Sequence, residues 1–143
     1  MSILLAQTDT TVGFLSADAT LLHEVKSRPF GKQFLKVYPS FEAFKMDGNR
    51  VPQKYKNFVR RSKKTTFVIK SRASRIVKNN PHLQMLQNYP WLYSTSANQS
   101  GCGFDKDFCI RKSDIIIEDS RGLEEKNPSK LYKISATNIK RLR

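Results

Sequence analysis

Ser94-Thr95-Ser96-Ala97-Asn98-Gln99-Ser100-Gly101 follows an apolar, aromatic run, Trp91-Leu92-Tyr93, and is small and polar almost throughout. That change of character is how a strand opens onto a loop. Ser, Thr and Asn side chains donate and accept hydrogen bonds at short reach, and Ala97 and Gly101 let a ligand come close to the backbone. The same residue types also build ordinary turns. Taken alone, the octapeptide is equally a capping turn and a binding loop.

Working outward, the chain alternates strand and helix signals. Residues 3–6 are apolar and lead into Gln7-Thr8-Asp9-Thr10-Thr11, a short buried strand that delivers hydroxyls and a carboxylate to its end. A helix over about 17–27 follows, with Ser16 or Asp18 as cap, Leu21, Leu22 and Val25 as its apolar stripe and Pro29 as its stop. Phe34-Leu35-Lys36-Val37-Tyr38 alternates like a strand. Ser40 can cap a short helix carrying Phe41 and Phe44 that ends at Asp47-Gly48, and Pro52 opens a second with Tyr55, Phe58 and Val59 inward. Thr65 to Lys70 reads as a strand, Arg72 to Val77 as a second strand or its continuation, Asn80-Pro81 as the start of a helix through Leu83 and Leu86, and residues 91–95 as the strand before the octapeptide. Beyond it come a buried strand at Asp114 to Glu118, a loop at 120–129 and short strands near 130–134 and 138–142. Strands alternating with helices predict an α/β layered domain, a twisted mixed β-sheet with helices packed on it.

The 143 residues suit one domain, and 38% hydrophobic residues with nine Phe and five Tyr can support a core. Charge is the strongest compositional signal: 26 Lys plus Arg against 12 Asp plus Glu give a net +14. That balance favours polyanions through long-range steering and counterion release, so RNA, a nucleotide or an anionic membrane surface fits. Much of the surplus falls on one predicted helix face, at Lys54, Lys56, Arg60, Arg61, Lys63 and Lys64. Such a run is either a solvated face or an RNA contact. No apolar run approaches a membrane span, and the start, Met1-Ser2-Ile3-Leu4-Leu5-Ala6, lacks the basic flank of a leader. A soluble, cytoplasmic protein with reduced thiols is the expectation. Cys102 and Cys109 lie seven apart, and with only His23 and His82 besides they do not make a zinc site. A disulfide between them is possible but unforced.

With two histidines there is no sign of a nucleophile–histidine triad, and no phosphate-loop or dinucleotide fingerprint occurs. Four polar patches remain: Thr8-Asp9-Thr10, Lys26-Ser27-Arg28-Pro29, the octapeptide and Pro128-Ser129. The first and third lie at strand ends, where open α/β sheets place their sites. Lys26 and Arg28, two apart, can splay over a polyphosphate, or merely complement a helix end.

In this order and spacing the patches resemble the YrdC-like family, whose enzymes form threonylcarbamoyl-adenylate for the modification of tRNA beside the anticodon. Gln7 to Phe14 is similar to the family's P-T-[DE]-T-x-x-G-L, Lys26-Ser27-Arg28-Pro29 to its K-x-R-P, and residues 94–101 match S-T-S-A-N-x-S-G in full. Arg75-Ile76, Ser113 to Asp119 and Pro128-Ser129-Lys130 resemble later segments, so the likeness spans nearly the whole chain. It implies a single YrdC-like domain over residues 1–143 with a concave basic cleft, shortened at its start relative to the family. It also implies a threonylcarbamoyl-adenylate synthase, an ATP-dependent nucleotidyltransferase that uses threonine, bicarbonate and ATP, with magnesium on the phosphates and a tRNA-threonylcarbamoyl transferase complex as a possible partner. Carried over by residue, Thr8, Arg75 and Ser96 would contact threonine. Lys26, Arg28, Asn98, Ser129 and Arg141 would hold ATP, with Lys26 and Arg28 on the phosphates as the catalytic pair.

The chain departs from the pattern at Gln7, where the family has proline, at Val12, where it has an aromatic, and at Lys130, where it has threonine. These changes leave room for a branch like YciO. They also leave room for a protein of the same fold that binds double-stranded RNA or tRNA without catalysis, since shape recognition of A-form RNA needs a broad basic surface and little sequence-specific chemistry.

Overall fold

The computed structural model describes residues 2–27, 33–78, 80–99 and 101–143, the side chain of Asn80 excepted. Arg28, Pro29 and Ser100 therefore lie outside the described residues. In chain order the elements are β1 (Leu4–Gln7), β2 (Val12–Ser16), α1 (Ala19–Lys26), β3 (Leu35–Tyr38), α2 (Phe41–Met46), a 3-10 turn (Gln53–Tyr55), α3 (Lys56–Arg61), β4 (Thr65–Ile69), β5 (Arg72–Ile76), α4 (Asn80–Leu86), β6 (Leu92–Ser96), α5 (Lys106–Lys112), β7 (Ile115–Ile117), β8 (Lys130–Ile134) and β9 (Ile139–Arg141). The α/β class and the mixed strand pairing expected from the sequence hold. Among the described residues no helix is long and apolar enough to cross a membrane.

Two compact units form, one from residues 1–34 and 92–128, the other from residues 35–91 and 129–143. In the first, the strand order is β7-β1-β2-β6. β1 and β2 are an antiparallel hairpin, β7 runs parallel to β1, and β6 is antiparallel to β2 with Gly13 opposite Ser96. Leu5, Phe14, Leu22, Val25 and Cys109 pack together as its core. α1 begins where Asp18 Oδ1 accepts from the Thr20 N–H at 2.9 Å, the cap anticipated for it. It stops at Ser27, whose backbone turns left-handed at φ 52°, so the helix ends before Pro29 is reached and Lys26 becomes its last residue.

In the second unit the order is β3-β5-β4-β8-β9, with β3 parallel to β5, β4 antiparallel to β5 and parallel to β8, and β9 closing antiparallel on β8. Tyr38, Phe41, Phe44, Val59, Phe67, Ile76 and Ile134 form one apolar cluster, which seats α2 and α3 on a single face of this sheet. Phe67 pairs across from Ser74, whereas Thr66 pairs across from Arg75. Since side chains alternate along a strand, Thr66 and Arg75 stand on the face away from those helices.

Four features differ from the expectations. The helix opening at Pro52 is split: Pro52 makes no side-chain cap bond, a 3-10 turn comes first, and α3 starts only at Lys56. On α3 Val59 is buried, but Phe58, expected inward, is 39% exposed and touches Phe67 and Tyr132 edge-on, with centroids at 5.9 and 5.1 Å. Between the octapeptide and β7 lies α5, a helix that the sequence pattern does not predict. Asp105 caps it by accepting from Phe108 N–H, yet seven residues with one buried side chain, Cys109, give too short a stripe to stand out from a loop. Finally β7 is three residues long, and Ile115 and Ile116 are 47% and 41% exposed. An all-isoleucine run suggested a buried strand, but β7 is the edge of its unit's strand order.

Candidate functional site

In the first unit the octapeptide emerges from β6 and is held by a lysine from another element. Lys26 is 4% exposed. Its ammonium donates to the Ser96 carbonyl at 2.9 Å, to Asn98 Oδ1 at 2.8 Å and to Ser96 Oγ at 3.4 Å. Lys26 is the last residue of α1, which ends at the left-handed Ser27. Asn98 uses every hydrogen-bonding position it has. Oδ1 also accepts from Ser96 Oγ at 2.6 Å, and Nδ2 donates to the carbonyls of Gln99 and Cys102 at 3.0 and 2.6 Å. Gly101, at φ 82°, makes the reversal that brings Cys102 back to the loop, where its N–H reaches the Gln99 carbonyl.

Thr8 sits at the end of β1 in a turn that it closes itself. Its hydroxyl donates to the Thr11 carbonyl at 2.5 Å and accepts from the Thr10 N–H at 3.1 Å. Close approach to β2 needs Gly13, since a Cβ there would lie 2.9 Å from Thr8 Cγ2 and 3.0 Å from the Thr95 carbonyl oxygen.

A residue that no motif pointed to completes this end of the unit. Arg121 pairs with Asp119 through Nε and Nη2, at 3.0 and 2.6 Å, and the same guanidinium donates to the Gln7 carbonyl at 2.8 Å and the Thr8 carbonyl at 3.0 Å. Gln7 Oε1 accepts from the Glu124 N–H at 2.8 Å, and Lys126 N–H reaches Thr11 Oγ1. Gln7 thus ties the 119–126 segment to β1. The available signal was an acid and an arginine two apart just after a strand, which is weak by itself.

In the second unit Arg75 and Ser129 do come together. Arg75 is 6% exposed; its Nε donates to Thr66 Oγ1 at 3.2 Å and its Nη2 to Ser129 Oγ at 3.3 Å. Thr66 and Ser129 share a hydrogen bond at 2.8 Å. The arginine that reaches Ser129 from the chain end is Arg143, not Arg141: Arg143 Nη2 lies 3.2 Å from Ser129 Oγ and Nε 2.9 Å from its carbonyl. Arg141 is exposed on β9 and donates to the Arg143 carbonyl. Two guanidiniums thus converge on one small hydroxyl, and a guanidinium fork is the geometry that suits a carboxylate or phosphate.

Of the basic residues expected on one face, Lys54, Arg60, Arg61, Lys63 and Lys64 are exposed and Lys56 is half-buried. Lys54 donates to the Thr137 carbonyl and Arg60 to Asn57 Oδ1. The cysteines are not bridged: Cys102 is exposed and Cys109 buried. Burial, only partly offset by the Asp105 backbone and Lys26, pushes the Cys109 thiol up, and it donates to the Ala97 carbonyl beneath the octapeptide. Among the described residues no three His, Cys, Asp or Glu side chains gather where a metal ion could sit.

No protein-family model and no curated protein matches this sequence. Solved structures do. A structure of Sua5 from P. abyssi superposes with a TM-score of 0.82 at 17% identity, covering 99% of this chain and 49% of Sua5. The structure of the same protein complexed with L-threonine gives 0.81 at 17% identity, with 99% and 50% covered. E. coli YciO gives 0.79 at 13% identity, covering 99% of this chain and 82% of YciO. The chain therefore has the YrdC-like fold and spans about half the length of Sua5.

Proposed function

We propose that this protein is a threonylcarbamoyl-adenylate synthase-like enzyme serving tRNA modification. The threonine amine would bond to the carbon of bicarbonate with loss of water, giving a carbamate whose carboxylate attacks the α-phosphate of ATP and expels pyrophosphate. Such a reaction depends on alignment and on cations placed where phosphoryl charge develops, and it needs no covalent nucleophile. The observation that carries the reading is the Lys26 ammonium, buried and aimed into the octapeptide at Ser96 and Asn98. A cation fixed there in advance would exchange loop oxygens for phosphate oxygens at little reorganisation cost.

In this scheme Lys26 and Arg28 act on the phosphates, and Asn98 holds the nucleotide loop. Ser96 and Thr8 present hydroxyls to threonine, with Asp119 and Arg121 as positioning residues for the Thr8 turn. Arg75, with Ser129 and Arg143 beside it, offers a carboxylate or phosphate its fork. The likeness to Sua5, whose structure with L-threonine shares this fold, supports threonine as the amino acid. Magnesium would be held by the nucleotide's phosphates and water, since the described residues assemble no metal site. The decisive experiment supplies threonine, bicarbonate, magnesium and labelled ATP and reads pyrophosphate. Release that requires threonine is expected; its absence defeats the reading. Lys26→Ala and Arg28→Ala should each weaken ATP binding about tenfold, as loss of a charge-assisted hydrogen bond implies. Ser96→Ala should chiefly raise the threonine requirement.

RNA binding is a second reading, favoured by the exposed cations Lys54, Arg60, Arg61, Lys63 and Lys64, none of which pairs with a carboxylate among the described residues.

A further inference from the structure

The second unit carries a basic cavity that neither the Lys26 loop nor the Arg75–Ser129 cluster uses. It measures about 370 Å³ and is lined by Phe41, Lys45, Asn49, Arg50, Val51 and Lys56. A smaller hollow beside it shares Asn49 and Arg50 and adds Lys70 and Arg72. Phe41 belongs to the cluster that seats α2 and α3 on the sheet, and Ile69 and Arg72 face the same way as Phe67 and Ser74. The cavity thus lies across the second unit's sheet from Arg75 and Thr66.

Its cations come from three places: Lys45 from α2, Arg50 from the following loop, Lys56 from the start of α3. No carboxylate among the described residues pairs with any of them. The loop that presents Arg50 is braced from below. Asn49 Nδ2 donates to Tyr38 Oη at 3.1 Å and to the Phe44 carbonyl at 3.0 Å. Asp47 accepts from Tyr38 Oη at 2.6 Å and from Lys36 at 3.0 Å. The Asp47 carboxylate is therefore engaged in holding the loop. Phe41 and Val51 supply an apolar wall, and Lys45 Nζ and Arg60 Cζ lie over the Phe41 ring, 5.4 and 4.8 Å from its centroid. An apolar wall beside several unneutralised cations suits a ligand with a flat ring and a phosphate, and the volume is in the range of small-molecule sites.

We propose that this cavity binds one nucleotide unit, its phosphate on Lys45, Arg50 and Lys56 and its base against Phe41 and Val51. The unit belongs to an RNA strand whose backbone continues along the cations of α3. The inference deepens the RNA reading and is independent of the threonine reaction.

The test uses the full chain and two probes, a fluorescein-labelled single-stranded RNA of about ten nucleotides followed by anisotropy, and AMP followed by saturation-transfer NMR. Lys45→Ala/Arg50→Ala is compared with Lys106→Ala/Arg111→Ala, which removes the same charge from α5. The cavity variant should lose about tenfold more RNA affinity than the α5 variant, with unchanged thermal unfolding. An AMP signal that disappears in the cavity variant would mean the cavity also takes free nucleotides. RNA loss without any AMP signal would mean it serves a strand alone. Equal RNA losses in the two variants, with AMP absent or unaffected, would overturn the proposal. In that event Arg61→Ala/Lys63→Ala decides the broader reading: a selective RNA loss keeps it, and wild-type protein that binds no RNA removes it.

Discussion

Lys26 shows a helix's last residue reaching a loop distant in sequence. The helix stripe and its cap are readable in the sequence, but α1 ends at the left-handed Ser27 and not at Pro29, with the Lys26 ammonium on the octapeptide. Gly13 is the matching case on the opposite strand. Gly13→Ala should push Thr8 and the Thr95 carbonyl apart and cost about 1–3 kcal/mol, as overpacking does, measured as a lower urea midpoint. No change in midpoint would show that the Thr8 turn yields freely. The cysteines make a second check at this scale. With an aromatic disulfide reagent, Cys102 should react at once, whereas Cys109, buried with its thiol pushed up, should react only as the protein unfolds. Two fast thiols would contradict the packing beneath the octapeptide.

Elements were recovered from the sequence where capping and periodicity agreed. Asp18 and Ser40 cap α1 and α2 as their positions promise, and β4 falls where β-branched residues cluster. Asp18→Ala should cost about 1 kcal/mol of stability, while Asp18→Asn should cost little, because the cap needs an acceptor and not a charge; equilibrium denaturation of both variants tests this. α5 shows the limit of such reading, since a helix of seven residues with one buried side chain has almost no periodic signal. The exposed isoleucines of β7 show another: burial depends on what lies beside a strand, and composition does not report a strand's place in the order.

Across the whole chain, charge and one buried network set the response to conditions. The net +14 predicts that RNA or nucleotide affinity falls steeply as salt rises; a flat plot of log affinity against log salt would remove the polyanion argument. The Asp47–Tyr38 pair sets pH limits on the second unit. Burial works to raise the Asp47 carboxyl, but donation from Tyr38 and Lys36 leaves it below the ordinary range. A carboxyl depressed on folding adds stability above its unfolded value, near 4, and that stability fades as pH falls through the lower folded value. Burial, followed by donation to Asp47, pushes the Tyr38 phenol well above its usual value near 10. Its contribution is complete below about pH 10 and fades as pH climbs past that point. Asp47→Asn should flatten the acid limb of thermal stability; an unaltered acid limb would mean that other carboxylates dominate it.

Local rules were enough for the α/β class, most strand and helix positions, and the loop at 94–101, because capping, alternation and turn chemistry act between residues close in the chain. They also single out Lys26, Asn98 and Ser129 as polar groups, whereas Arg75 stands out only through the family resemblance. Other contacts depend on long-range closure. Asp119 and Arg121 clamp the end of β1 from more than a hundred residues away, Arg143 and not Arg141 reaches Ser129, and Gln7 binds the 119–126 segment. Those partners are chosen by strand register and by the paths of intervening loops, and neither leaves a periodic trace in sequence. The octapeptide, which alone could be a turn or a binding loop, is held by Lys26 across a separation of seventy residues. That lysine can meet Ser96 only once β2 and β6 have paired and α1 has stopped at Ser27.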